Sequence, residues 1–216
     1  MKTVIVASLV ALMSSSVAFA EGRGRGWDAD LSQVSIGVQD ALNKITDASK
    51  ALDVSQTAVN AANLINLPSD DINSIEQKSI GSQLSSNFIE FSKSFDANAA
   101  VDGVLVPSTQ SATNVANSVS VEEINDTLKQ YSDTAQVAKN IADSTRFSTN
   151  VWDLKQTSVN AANLVTVAEL DTRIEVSQLS LTDQFAMNKL DVNGAVTNVV
   201  QSATNVANSI GVATGQ

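Results

Sequence analysis

One uncharged twelve-residue motif occurs four times, and this repetition constrains the fold more than any other feature of the chain. The first copy, Gln56–Leu67, reads Gln-Thr-Ala-Val-Asn-Ala-Ala-Asn-Leu-Ile-Asn-Leu. The other three copies keep its glutamine and both central asparagines; they are Gln110–Val121, Gln156–Val167 and Gln201–Val212. A recurring short unit indicates an architecture in which each unit stacks on its neighbours.

Weaker copies lie between the strong ones. A Gln-x-(Ala or Ser)-x-Asn pattern begins at Gln39, Gln83, Gln136 and Gln184. Strong and weak copies together recur every 17–28 residues, which is typical of a solenoid. The stretch 54–121 also aligns with 154–212, so we infer an internal duplication.

The motif favours a β-strand, although a helix also fits its spacing. Ala58, Ala61, Ala62 and Ile65 would share one helix face. However, the motif is rich in Asn, Thr, Val and Ser, which are poor helix formers. It also lacks the charged face that a surface helix normally shows. Periodicity does not separate the two structures, so the preference for a strand depends on residue propensity.

Alternation along a strand predicts two different faces for the motif. One face would carry Gln56, Ala58, Asn60, Ala62 and Leu64, with small residues between the amides. The opposite face would carry Val59, Asn63 and Ile65, together with other mostly β-branched residues. We therefore predict an all-β fold, a β-solenoid of stacked strand–turn–strand units that is internally duplicated.

The beginning of the chain predicts export. Residues 1–20 have a positive start, an apolar segment and a small-x-small end at Ala18-Phe19-Ala20, as expected of a secretory signal peptide. Residues 21–33, rich in Gly and Arg, are predicted to be a flexible leader. The remaining 34–216 would form a single repeat domain with related halves at about 34–121 and 122–212. A short amphipathic helix, or an irregular first repeat, is expected within 28–50.

The composition argues against catalysis, cofactors and metals. The 216 residues include no His and no Cys, so the usual zinc, haem and iron–sulfur ligands and a Ser-His or Cys-His nucleophile pair are lacking. Neighbouring carboxylates such as Asp70 and Asp71 fit a solvated loop better than a calcium site. We predict neither an enzyme nor a bound cofactor.

The charge balance bears on partners and location. The net charge of −10 argues against nucleic acid and anionic membranes. No segment after residue 20 is long and apolar enough to predict a membrane span. The expected location is therefore extracellular or on the surface of a bacterial cell.

The Gln-x-Ala-x-Asn-x-Ala pattern resembles the repeats of curli-type secreted subunits over roughly residues 34–212. Here Gln56 and Asn60 are four residues apart with Ala58 between them, whereas the curli spacing is five with glycine. The resemblance implies a functional amyloid, a β-solenoid that stacks end to end into an extracellular fibre with amyloid-like pairing. Its implied partners are other copies of the chain and an outer-membrane export or nucleator protein.

Stacked identical strands allow Gln and Asn side chains to form amide ladders along the stack. The predicted assembly ladder comprises Gln56, Asn60, Asn63, Gln110, Asn114, Asn117, Gln156, Asn160, Asn163, Gln201, Asn205 and Asn208.

These observations predict a structural subunit of an extracellular fibre or of a biofilm or surface matrix. Two alternatives remain open. One is a monomeric surface module that binds or adheres through its β-repeat face. The other is a helical periplasmic or surface protein, which would follow if the motif were helical.

Overall fold

The computed structural model describes residues 9–10, 19–21, 30–48, 54–91, 99–101, 104–106, 108–148, 151–170 and 174–212. Within these ranges the regular structure is entirely β. The strands are β1 Leu9–Val10, β2 Phe19–Glu21, β3 Asp30–Ala48, β4 Ser55–Phe91, β5 Ala99–Val101, β6 Val104–Val106, β7 Ser108–Ser148, β8 Val151–Trp152, β9 Leu154–Leu170, β10 Glu175–Ser180, β11 Gln184–Asn193, β12 Val196–Thr197 and β13 Val200–Val212.

This fold confirms the β class and the strand interpretation of the motif. All four motif copies lie in strands, within β4, β7, β9 and β13. Of the two alternatives for 28–50, the helix is wrong, because Asp30–Ala48 is the strand β3. Its apolar residues have helical spacing, but parallel pairing with β4 satisfies its backbone and overrides that local preference.

The long strands must bend. A straight strand of 37 residues such as β4 would extend about 120 Å at ~3.3 Å per residue. Instead, the first part of β4 pairs with the first part of β7, and both then continue into a second set of pairings. Four segments form the motif stack: 55–67, 109–121, 155–167 and 200–212. Four others form the echo stack: 30–48, 74–91, 127–148 and 175–193.

Neighbouring segments within each stack are parallel, and like residues face each other. In the echo stack Gln83 lies opposite Gln39 on one side and Gln136 on the other. In the motif stack Asn114 lies opposite Asn60 and Asn160. A shift of one residue would turn every inward side chain outward, so the burial of these side chains fixes the register of each strand.

The interior between the stacks is polar at its centre and apolar at both ends. One apolar cluster lies where echo segments end and motif segments begin: Ile45, Val54, Ile89, Phe91, Ala142, Val151 and Leu154. The other lies where motif segments end: Ile65, Ile72, Ile75, Val119, Val121, Ile124, Leu128, Val165 and Val167. Each fully buried Ile or Leu contributes about 1.5–3 kcal/mol, so these clusters stabilise the two bends.

The two ends of the stacks are covered differently. At the start, β1 and β2 pair antiparallel with the outer edge of β3. These strands include residues of the predicted signal peptide, whose remaining residues lie outside the described part, so its removal stays a prediction. At the other end β13 pairs with β9 and is the last strand of the sheet.

Gly81 occupies a position that excludes any side chain. Its φ is +141°, and a Cβ atom built there would lie 1.7 Å from the carbonyl oxygen of Gly37 in the adjacent segment. The paired Gly37 also has a positive φ, +156°, but a Cβ there would meet no atom within 4 Å. Glycine is therefore needed at Gly81 for space as well as for backbone conformation.

We expect Gly81→Ala to destabilise the protein by at least the ~1–3 kcal/mol typical of backbone strain, because the new methyl group would also push two segments apart. Gly37→Ala provides the matched control, since it meets strain without the clash. Urea unfolding followed by circular dichroism would compare the two. Equal losses in both variants would show that the close approach to Gly37 costs nothing.

Candidate functional site

The twelve predicted ladder residues form three hydrogen-bonded columns in the motif stack. Side-chain N–H to side-chain O distances are 2.6–2.7 Å along the glutamines, 2.9–3.0 Å along the first asparagines and 2.7–2.8 Å along the second. The columns are Gln56–Gln110–Gln156–Gln201, Asn60–Asn114–Asn160–Asn205 and Asn63–Asn117–Asn163–Asn208. The structure thus brings these residues together within one chain; their role between chains stays a prediction.

Three more amide columns run through the echo stack and were missing from the predicted ladder. Their distances are 2.7–2.9 Å. The columns are Gln33–Gln77–Gln130–Gln178, Gln39–Gln83–Gln136–Gln184 and Asn43–Asn87–Asn140–Asn188. The weak copies signalled two of them. A Gln-x5-Gln-x3-Asn spacing, repeated in all four echo segments, would have revealed the third.

The same side chains also join the two stacks. Each carboxamide has two N–H donors, and the second one often reaches a backbone carbonyl of the opposite stack. Asn114 donates to Val137 O at 2.8 Å, and Gln136 donates to Ala161 O at 2.9 Å. A typical internal hydrogen bond contributes ~0.5–1.5 kcal/mol. The repeated cross-links therefore stabilise the polar centre, where apolar packing is sparse.

The faces predicted for the motif are partly wrong. Asn63 and Ile65 point inward with Gln56 and Asn60, whereas Leu64 is 51% exposed. The reason is a break in alternation at Ala62, which faces inward immediately before Asn63. This break puts two asparagines on the inner face three residues apart, so a regular strand pattern could not predict it.

The columns have a direction. Every glutamine column donates toward the preceding segment, as Gln156 does to Gln110. Every asparagine column donates toward the following segment, as Asn114 does to Asn160. The two ends of each stack are consequently different: the last glutamines direct oxygen outward, and the last asparagines direct N–H outward.

The last segments leave their inward residues uncovered. Ile210 is 41% exposed and Val212 50%, whereas the matching Val165 and Val167 are 2% and 0% exposed. Gln201, Asn205 and Asn208 are exposed as well, although their counterparts in the two preceding segments are buried. This end therefore has the composition of the protein's own interior.

The beginning of one column lacks a donor. Among the described residues Asn63 is 0% exposed, and its side-chain Oδ1 is buried without a hydrogen-bond partner. Its Nδ2 donates to Asn117 at 2.8 Å and to Lys78 O at 2.8 Å. A buried unsatisfied acceptor costs about 1–3 kcal/mol.

The outer faces of the stacks differ in charge. The echo stack carries Lys and acidic residues along its outer face, including an ion pair between Lys189 and Asp191 at 2.9 Å. The hydrogen bond and charge of Asp191 raise the pKa of Lys189 above its ordinary value. Lys44 and Lys78 lie over the rings of Phe88 and Tyr131 at 5.6 and 5.4 Å. The motif copies on the other face carry no charge.

A cavity of about 560 Å³ opens beside Asp30, Ile75 and Lys129. Within the same ranges no three acidic side chains cluster as metal ligands would. The described segments also contain no helix with the length and hydropathy needed to cross a membrane.

Comparison with known proteins found no matching family model, no similar curated protein and no similar solved structure.

Proposed function

We propose that this chain is a secreted, non-enzymatic structural subunit that polymerises end to end into an extracellular fibre of a biofilm or surface matrix. In this proposal the chain is a β-solenoid, and each turn comprises one echo segment and one motif segment. The fibre continues the same coil from one subunit into the next, as the resemblance to curli-type repeats implies.

The observation that carries the proposal is the uncovered last turn. Its exposed Ile210 and Val212 match positions that are almost fully buried one and two turns earlier. Among the described strands β13 pairs with β9 alone, so it is an edge strand of the sheet. An exposed, neutral edge of this kind templates pairing with another chain unless it is covered. A second copy offers residues of the right type at the right spacing.

The amide columns make the two ends complementary. The missing donor to the buried Asn63 Oδ1 lies on the side away from Asn117, because this column donates toward following segments. Asn208, the last member of the same column, accepts from Asn163; one N–H of its Nδ2 donates to Gln178 O at 3.5 Å, which leaves the other N–H for the open end. Asn63 is 0% exposed, so head-to-tail contact requires the segment that covers it to move aside; Asn208 of one subunit then meets Asn63 of the next. Contact between two like ends would instead oppose donor to donor, or acceptor to acceptor, wherever a column meets its own kind.

In this proposal the chain is exported and its charge keeps it soluble before assembly. The signal peptide directs export, and removal of residues 1–20 takes away one positive charge, so the mature net charge is 12 − 23 = −11. Repulsion between negative subunits keeps them apart until an export or nucleator partner starts assembly. Charged residues on the echo face act as gatekeepers around the neutral motif strands.

The test is seeded polymerisation of the mature chain, residues 21–216. We expect a β-type far-UV circular dichroism spectrum, growth of thioflavin-T signal without a lag when sonicated fibres are added, and fibre diffraction at about 4.7–4.8 Å along the axis. Seeds of an unrelated amyloid serve as the control and should leave the lag unchanged. A β-rich protein that stays monomeric with homologous seeds would contradict the proposal and favour the surface-binding alternative.

A further inference from the structure

The outer face of the motif stack is an uncharged surface that end-to-end growth leaves uncovered. This motif face consists of the outward residues of the four motif copies, such as Val59, Leu64 and Leu164. Val59 is 38% and Leu64 51% exposed. None of the copies contains a charged residue, in a chain whose net charge is −10. Exposed apolar side chains grouped on one face are typical of interaction surfaces.

The size of the motif face suits a protein partner. Four segments about 4.8 Å apart, each about 12 residues long at ~3.3 Å per residue, cover roughly 750 Å². A standard specific interface buries about 800 Å² on each partner. The face of one subunit therefore has the area of a stable interface, and stacking subunits would extend it.

The motif face is corrugated with a period of two segments. In one column large and small residues alternate: Leu64, Ser118, Leu164 and Ser209 are adjacent in order. A neighbouring column alternates in the opposite phase: Ala61, Val115, Ala161 and Val206. Ala161 is only 2% exposed, as expected at the bottom of a depression. The internal duplication produces this period, because segments one and three match, as do segments two and four.

We propose that the motif face packs against the motif face of a second copy of this chain. The protruding leucines of one copy, which form ridges, enter the gaps at the serine positions of the other, which form notches. The two stacks are offset by one segment. Sheets that pack face to face lie about 10 Å apart and interdigitate their side chains. A second copy is the favoured occupant, because two strongly negative molecules approach with least repulsion through their uncharged faces. This lateral contact is separate from end-to-end growth and would join two filaments side by side.

Three variants of the mature chain test the lateral contact. Leu164→Lys places a charge on a ridge, and Leu84→Lys places the same charge on the outer face of the echo stack. Ser118→Leu fills a notch without adding charge. Mass per unit length, measured by scanning transmission electron microscopy, reports how many filaments run side by side.

We expect wild type and Leu84→Lys to have twice the mass per unit length of Leu164→Lys and Ser118→Leu, with similar elongation rates for all four. Single filaments in the wild type, or paired filaments in Leu164→Lys, would overturn the proposal. Tighter pairing in Ser118→Leu would overturn the interdigitation, because nonspecific hydrophobic attraction would then explain the pairing of filaments. If no fibres form, the proposed function fails, and sedimentation of the soluble protein then tests the lateral contact. A wild-type dimer that Leu164→Lys reduces to a monomer supports this contact. A wild-type monomer overturns it.

Discussion

Replacing Asn205 with Asp is expected to stop fibre growth while leaving the fold of the subunit intact. Asn205 is exposed in the last segment, and its Oδ1 accepts a hydrogen bond from Asn160 Nδ2 at 2.9 Å. A carboxylate keeps that bond. It loses both N–H groups, however: the outward one and the one that donates to Gln184 O at 3.3 Å. It also directs a negative oxygen toward the position where Asn60 Oδ1 of the next subunit would lie.

Incorporation of this variant would bury a charge between two amides. An uncompensated buried charge costs about 3–5 kcal/mol, which corresponds to a critical concentration at least 100-fold higher. The concentration of soluble protein left beside seeded fibres measures this effect. Ser177→Asp adds the same charge at an exposed position of the last echo segment and should grow nearly as wild type. Unimpaired growth of the Asn205 variant would contradict the proposed end-to-end contact.

The equivalent substitution inside the stack, Asn114→Asp, is expected to destabilise the subunit itself by about 3–5 kcal/mol. Asn114 is 0% exposed. It accepts from Asn60 at 3.0 Å and donates to Asn160 at 2.9 Å and to Val137 O at 2.8 Å. A carboxylate cannot donate, so it would be buried against two acceptor oxygens.

Urea unfolding of soluble protein, followed by circular dichroism, measures this loss. Asn205→Asp is the matched control, and its loss should stay below about 1 kcal/mol because the site is exposed. Acidification should recover part of the Asn114→Asp loss, since a protonated carboxyl can donate again. Equal and small losses in both variants would mean that the column adds little to the stability of the subunit.

Some features of the fold could be predicted because they depend on composition and repetition. The β-branched and amide-rich motif favours strands over helices wherever it occurs, and all four copies are strands. The spacing of Gln56 and Asn60, kept in every copy, also indicated which residues would lie opposite each other. Parallel pairing of like strands then aligns them, as it does for Asn60 and Asn114.

Other features depend on contacts between distant residues and could not be predicted in this way. The apolar spacing in Asp30–Ala48 fits a helix, but pairing with β4 makes it a strand. The inward position of Asn63 requires a break at Ala62, which has no mark in a uniformly small and polar sequence. The Gln33 column was missed because its weak pattern becomes significant only when all four echo segments are compared.

The amino-acid sequence alone therefore specifies the repeat, the class of secondary structure and the identity of the stacked residues, because these follow from local propensity and from periodicity. Only the three-dimensional arrangement shows that strong and weak copies form separate, opposed stacks, and that amides of one stack donate to carbonyls of the other, as Gln136 does to Ala161. It also reveals which segments are left uncovered. The physical reason is that these features depend on packing between segments about 45–55 residues apart, whose alignment no single segment encodes.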